Sequence, residues 1–273
     1  MSERMDPKTF EELRQFIYQK SGIFFEKSKE YLLTNRLRKR LKELGLNTFE
    51  EYLRYLKSPK GAQELGPLFD AITINETYFF RHIRQIEAFR DVIVPELLKK
   101  KRSINVWSAA CSTGEEPYTI VIALMEKYGQ AIPARVLASD ISNEVLEKAK
   151  EGIYSEYSVK ELTPELKKKY FDSVGFGKYK IKDFVKRKVV FKNINLTDPG
   201  LSRKVGKMDV IFCRNVLIYF DNQSRQRVID TFYNDILNPG GYLILGATES
   251  ISRLKTNFKL CHFRMAIAYQ KPE

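Results

Sequence analysis

Ile104-Asn-Val-Trp107 runs straight into Ser108-Ala-Ala-Cys-Ser-Thr-Gly114-Glu-Glu116. The first four residues, rich in β-branched and aromatic side chains, read as a strand. The small residues after it let backbone approach a ligand closely, and Gly114 can take the turn that opens a following helix. This loop is not GxGxxG, and it lacks the lysine of a P-loop. A pyrophosphate clamp wants glycines and positive charge, whereas this loop carries two acids. It suits a ligand with hydroxyls, an amine or a cationic centre. An ordinary tight turn is the other reading, and the loop alone does not choose.

Outward from this loop, helical stretches alternate with short strand-like runs at Arg135–Ser139, Val189–Phe191, Met208–Cys213 and Tyr242–Leu245. That alternation predicts a mostly parallel sheet with helices on both faces. Ligands of such sheets bind beyond the carboxyl ends of the strands. The second strand ends in Asp140, an acid able to accept both hydroxyls of a ribose, with Ser142 placed to cap the next helix. Its distance from the first loop is about 30 residues, longer than the roughly 20 of the dinucleotide fingerprint. Asn195-Leu196 follows the next strand, in position to read an adenine edge. Asp209-Val-Ile-Phe-Cys-Arg214-Asn215-Val-Leu-Ile-Tyr219-Phe-Asp221 passes from an apolar strand to Arg, Asn and Tyr, an abrupt change for pure packing. Residues 151–188 break the rhythm and read as an insertion, with a helix after Thr163-Pro164 and a small antiparallel excursion near Gly175–Lys180.

Before residue 75 no strand pattern occurs. Asp6-Pro7 reads as an N-cap with Pro at the first helical position, ahead of an apolar stripe of Phe10, Leu13, Phe16 and Ile17. Leu33, Leu37, Leu41 and Leu44 form a second stripe closed by Gly45. Thr48 to Glu51 fits a capping box. The chain therefore divides into a helical N-terminal domain, 1–74, and an α/β domain, 75–273.

Composition narrows the chemistry. At 273 residues, 43% hydrophobic and 30% charged, the chain reads as a soluble two-domain protein. No apolar run approaches the roughly 18 residues of a membrane span, and the first ten residues carry no secretory core, so a cytoplasmic protein is expected. Two histidines and three dispersed cysteines would starve a zinc site, and no metal is expected. The formal charge of +13 favours an acidic partner.

Four ordered motifs resemble the chemotaxis receptor glutamate O-methyltransferases, the CheR family: Thr73-Ile-Asn75-Glu-Thr77-Tyr-Phe-Phe80-Arg81, Ala109-Ala-Cys-Ser-Thr-Gly-Glu115-Glu-Pro-Tyr118, Ala138-Ser-Asp140-Ile and Phe212-Cys-Arg214-Asn215-Val-Leu-Ile-Tyr219-Phe-Asp221. The closing Gly240-Gly-Tyr-Leu-Ile-Leu-Gly246 with Glu249 also fits. The resemblance implies an α/β fold: a Rossmann-like S-adenosylmethionine-dependent methyltransferase domain with a small inserted β-subdomain, preceded by an all-α N-terminal domain. It implies cofactor contacts from Asn75, Thr77, Arg81, Ala109, Glu115, Asp140, Asn195, Leu196, Arg214 and Asn215, with Arg81 and Tyr219 nearest the transfer. S-adenosylmethionine would be the methyl donor and S-adenosylhomocysteine the product. The partner would be the cytoplasmic helical bundle of a methyl-accepting receptor, met by a monomeric enzyme.

A carboxylate acceptor suits this chain. Glutamate, with a pKa of about 4.3, is ionised at neutral pH, so no general base is required. The second helix carries Arg36, Arg38, Lys39 and Arg40 beside its leucine stripe, a candidate docking face for an acidic receptor; a merely solvated face is the alternative. A nucleic-acid methyltransferase and a non-catalytic adaptor are the rival readings. Against the first, Cys213-Arg214-Asn215 stands where an Asn/Asp-Pro-Pro-aromatic motif is usual, and nucleic acid is not expected. Against the second, Arg81, Asp140 and Tyr219 are all present.

Overall fold

The computed structural model describes residues 5–273. The chain opens with α1 (Pro7–Ser21), α2 (Glu30–Leu44), α3 (Phe49–Lys57) and α4 (Gly61–Ile72). Their ends are set by local chemistry. The Asp6 carboxylate accepts from the backbone N–H groups of Lys8 and Thr9, and Thr48 and Glu51 make the reciprocal capping box ahead of α3. Leu13, Ile17, Leu33, Leu37, Tyr52 and Leu68 are fully buried between these helices. One acid lies among them. Glu64, 3% exposed, accepts two hydrogen bonds from Arg40 at 2.8 and 2.7 Å and one from the Tyr52 hydroxyl at 2.9 Å.

A connecting segment leads through α5 (Ile83–Ala88) and α6 (Val94–Leu98) into the sheet. There follow β1 (Ile104–Ala109), α7 (Glu115–Tyr128), β2 (Ala134–Asp140) and α8 (Asn143–Glu151). The insertion holds β3 (Ile153–Ser155), α9 (Pro164–Tyr170), β4 (Phe171–Ser173), β5 (Lys178–Ile181) and α10 (Asp183–Lys186). The main fold resumes with β6 (Val189–Asn193), α11 (Leu201–Val205), β7 (Met208–Cys213), α12 (Asn222–Thr231), β8 (Leu237–Leu245), β9 (Lys259–Phe263) and β10 (Ala266–Gln270). Among the described residues no helix is long and apolar enough to cross a membrane.

Seven strands form the main sheet in the order β6-β2-β1-β7-β8-β10-β9. The first five run parallel, and β10 and β9 add an antiparallel edge. The order reverses at β1, whose neighbours are β2 on one side and β7 on the other, with Ala109 opposite Ser139 and Cys213. Connections leaving to either side of one strand open a crevice above its carboxyl end. Strand alternation splits the core: Val106 and Phe212 point to one layer, Trp107 and Ile211 to the other. The β9–β10 pair escaped the sequence reading because β9 is an edge strand with no run of buried residues.

The insertion is a separate three-stranded antiparallel sheet, β3-β5-β4, and Thr163 caps α9. Phe79, fully buried, packs edge-on against Tyr154 and Phe171 at 4.8 and 5.0 Å between ring centres. Its N–H donates to the Ser158 carbonyl. The small sheet thus braces the segment that carries Asn75, Thr77 and Arg81.

Arg40→Ala leaves the Glu64 carboxylate buried without its counter-charge and should lower stability by about 3 kcal/mol in urea unfolding followed by circular dichroism. Lys39→Ala, on the exposed side of the same helix, should change it by less than ~0.5 kcal/mol.

Candidate active site

A cavity of about 250 Å³ lies in the crevice above β1 and β7. Its floor is built by four strand ends. Ala110 and Ser112 come from the loop after β1, Asp140 from β2, Ile194 to Leu196 from β6, and Arg214, Asn215 and Tyr219 from β7. Asn75, Thr77 and Arg81 form a wall, and Ile23, Phe24 and Arg36 of the helical domain close it from above. Among the described residues six non-glycine residues have positive φ, and five of them belong to these segments: Phe80, His82, Ala110, Ser112 and Asn215. Such conformations cost of order 1–3 kcal/mol each and persist where surrounding structure enforces them. Gly114 meets the same demand at φ 91°, and a Cβ there would lie 2.8 Å from that of Ala149.

Asp140, 5% exposed, is held by one N–H on each oxygen, from Ser142 at 3.0 Å and Ser112 at 2.9 Å. Burial nevertheless pushes its pKa above the ordinary carboxylate value, with the N–H groups of Ser142, Ser112 and Ile141 pulling the other way. Each oxygen keeps a lone pair for a donor from the cavity.

Arg214 is buried at 8% exposure. Its guanidinium pairs with Glu116 at 3.1 Å and donates to the Arg81 carbonyl, while Glu116 also accepts from the Ser108 hydroxyl at 2.7 Å. Burial raises the pKa of Glu116, against the pull of Arg214. The Arg214 Nε–H is buried with no hydrogen-bond partner, an orphan donor on a residue that lines the cavity.

Arg81 and Arg36 are placed differently. Arg81 donates to the Glu76 carbonyl at 2.9 Å and lies over the Tyr78 ring, and Arg36 donates to the Ile72 carbonyl. Among the described residues neither guanidinium is in an ion pair, and both line the cavity with Tyr219, whose hydroxyl pKa is raised by burial.

The structure brings together Asn75, Thr77, Arg81, Asp140, Asn195, Leu196, Arg214, Asn215 and Tyr219 around one cavity. At four points the placement is more particular. Ala109 is enclosed within β1 and its neighbour Ala110 reaches the cavity. Glu115 is not on the wall; its carboxylate accepts from the Thr113 hydroxyl at 2.6 Å, and Glu116, one residue on, lines the cavity. The Asn195 amide bridges to the Lys20 carbonyl at 2.6 Å and to Thr197, so its side chain joins the two domains. The proposed docking face also divides. Arg36 faces the cavity and Arg40 the buried Glu64, leaving Arg38 and Lys39 on the exposed side. Arg36 and Arg40 sit four apart, one residue before Leu37 and Leu41, a spacing that marks the flank of the buried stripe.

Sequence reading missed the roof altogether. Phe24 N–H donates to the Tyr219 carbonyl at 2.8 Å, Ile23 forms a β-bridge with Phe220, and the Tyr18 hydroxyl donates to the Asp221 carboxylate. These contacts tie the segment after α1 to the loop after β7.

A doubly wound sheet whose switch-point crevice ends in Asp140 and a small-residue loop defines a Rossmann-like domain behind an all-α domain. The chain belongs to the CheR methyltransferase family: the SAM binding domain of that family matches residues 75–267 and its all-alpha domain residues 8–73. It is similar to chemotaxis protein methyltransferase 2 of Vibrio cholerae, 41% identical over 263 residues, covering 95% of this chain and 91% of that protein. It also resembles the chemotaxis protein methyltransferase of Borreliella burgdorferi, 38% identical over 247 residues and covering 88% and 87%.

Arg214→Met strips Glu116 of its ion-pair partner and should lower unfolding free energy by about 3–5 kcal/mol in urea titration. Adding Glu116→Gln to that variant should recover part of the loss, because the pair is then removed as a whole.

Proposed function

We propose that the chain transfers the methyl group of S-adenosylmethionine to glutamate side chains of a chemoreceptor's cytoplasmic helical bundle, forming methyl esters. The observation that carries this reading is the division of labour among three cavity arginines. Arg214 is spent on Glu116, whereas Arg36 and Arg81 line the cavity with a backbone carbonyl and an aromatic ring each and, among the described residues, no acid partner. Two guanidiniums without acid partners suit two carboxylates, one on the donor and one on the acceptor.

The donor fits the residues present. Asp140 has lone pairs for both ribose hydroxyls, Leu196 gives an apolar wall for adenine, and the orphan Arg214 Nε–H awaits an acceptor. When bound, S-adenosylmethionine supplies an electrophilic methyl group on a positively charged sulfur. Arg81 would hold the amino-acid carboxylate of the donor. Arg36 and Tyr219, which share the cavity wall, orient the acceptor carboxylate.

No proton need be removed, because a glutamate acceptor with a pKa of about 4.3 arrives as the nucleophile. The buried Cys213 thiol is pushed well up in pKa and offers no thiolate. Transfer joins an anion to a cation and abolishes both charges, so exclusion of water favours it. The roof of Ile23 and Phe24 provides that shelter. What is left for the protein is alignment, worth up to ~7–11 kcal/mol in well-oriented systems. The cationic surplus, with Arg38 and Lys39 exposed on α2, would speed encounter with an acidic bundle.

Mass spectrometry of a receptor cytoplasmic fragment incubated with the protein and S-adenosylmethionine should show base-labile methyl groups on glutamates; label carried only by added RNA would overturn the reading. In the same assay Arg36→Ala should lower methylation about tenfold or more while leaving S-adenosylhomocysteine affinity within about twofold. Arg81→Ala should weaken that affinity by about tenfold or more.

The raised pKa of Asp140 sets a pH dependence. The folded chain holds this proton more tightly than the unfolded chain, whose Asp value is about 3.9. Acidification into the window just above that value therefore stabilises the unliganded protein through this group, and the gain is lost as pH rises through the folded pKa. Ribose hydroxyls need the ionised form, so S-adenosylhomocysteine affinity by calorimetry should fall with acidification through that window. Asp140→Asn should bind weakly at every pH and flatten the dependence.

A further inference from the structure

Glu249 lies beyond β8, outside the set of residues that line the cavity, and is only 6% exposed. Its carboxylate accepts three backbone N–H groups: Asn215 at 2.7 Å and Gly246 at 2.8 Å on Oε2, and Ile218 at 3.3 Å on Oε1. Among the described residues it makes no ion pair. A buried carboxylate without a cation is stabilised when several N–H dipoles converge on it, and those N–H groups are fixed in return.

The N–H groups it holds belong to the loop that completes the cavity. Asn215 stands at φ 60°, a conformation costly for a residue with a side chain, so something outside the residue must enforce it. The Asn215 and Ile218 N–H groups flank the turn from the end of β7 to Tyr219, and Asn215, Val216, Ile218 and Tyr219 all line the cavity. The clamp also explains Gly246. A Cβ there would lie 2.7 Å from Glu249 Oε2 and 2.9 Å from the Asn215 nitrogen, so only glycine lets the carboxylate reach both strand ends.

We infer that Glu249 is a positioning residue for methyl transfer: its carboxylate pins the Asn215–Tyr219 loop between the carboxyl ends of β7 and β8 and thereby sets Tyr219 against the acceptor. This rests on the methyl-transfer reading above for its substrate, but the clamp itself is readable without any substrate. Glutamine at this position is nearly isosteric, yet one of its two heteroatoms is a donor and opposes an N–H. A fold held by packing tolerates that exchange, whereas a loop held by three convergent N–H groups does not.

The test uses Glu249→Gln in the full chain, with hydrogen exchange by mass spectrometry read alongside steady-state kinetics. Peptides covering residues 214–219 should exchange at least tenfold faster in the variant, with β1 and β2 unchanged. On a receptor fragment, kcat should fall at least tenfold while S-adenosylhomocysteine affinity stays within about threefold, and Glu249→Asp should exceed Glu249→Gln in kcat. Unchanged exchange in the loop overturns the inference whatever the wild type methylates. So does faster exchange spread over the whole chain, which would mark Glu249 as a general stabiliser. A wild-type protein that methylates no receptor glutamate removes the methyl-transfer reading instead, while the loop exchange still decides whether the clamp exists.

Discussion

A guanidinium enclosed in an α/β core is tolerable only with a counter-charge, and here that requirement falls on Arg214 and Glu116. The pair joins the end of β7 to the first turn of α7, which itself starts from the loop after β1. Arg214 also holds the Arg81 carbonyl, so the segment before the sheet is fastened to the same point. Three cavity walls that are far apart in sequence meet at one buried charge pair. Its two acidic-side contacts, to Arg214 and to the Ser108 hydroxyl, fix Glu116 in one orientation.

The remaining charges follow from that pairing. With Arg214 neutralised, the cavity keeps Arg36 and Arg81, which among the described residues make no ion pair, together with the buried Asp140. An elongated ligand with a hydroxyl-bearing sugar and a carboxylate matches this polarity, and in the proposed reaction an anionic acceptor would match the second cation. Strained backbone at Ala110, Ser112 and Asn215 brings peptide groups close to the space between them. Preorganisation of that kind is the main contribution a protein can make when neither a base nor a thiolate is required.

The two domains are not independent in this arrangement. The helical domain supplies the roof through Ile23, Phe24 and Arg36, and its grip on the loop after β7 runs through Phe24 and Tyr219. The Asn195 amide fastens the end of β6 to the Lys20 carbonyl. A cavity floored by one domain and covered by the other excludes water only while both are seated, which gives the interface a chemical as well as a structural role.

The sequence by itself determined what depends on neighbours in the chain: the strand runs, the Asp6, Thr48, Ser142 and Thr163 caps, the turn at Gly114, and Asp140 at a strand end. These follow from local hydrogen bonding and from two-residue or 3.6-residue periodicity. The motifs carrying the family resemblance made the pocket's membership legible as well. Tertiary structure alone decided which of two adjacent acids, Glu115 or Glu116, meets Arg214, and that Arg36 enters the cavity while Arg38 stays outside. Each choice turns on helix phase against a partner about 36 to 98 residues away in the chain; a rotation of one residue, about 100°, exchanges the two acids, and one of two residues, about 200°, exchanges the two arginines. The edge strand β9 and the Glu249 clamp were hidden for the same reason: their hydrogen-bond partners are named by folding and by nothing in their own composition.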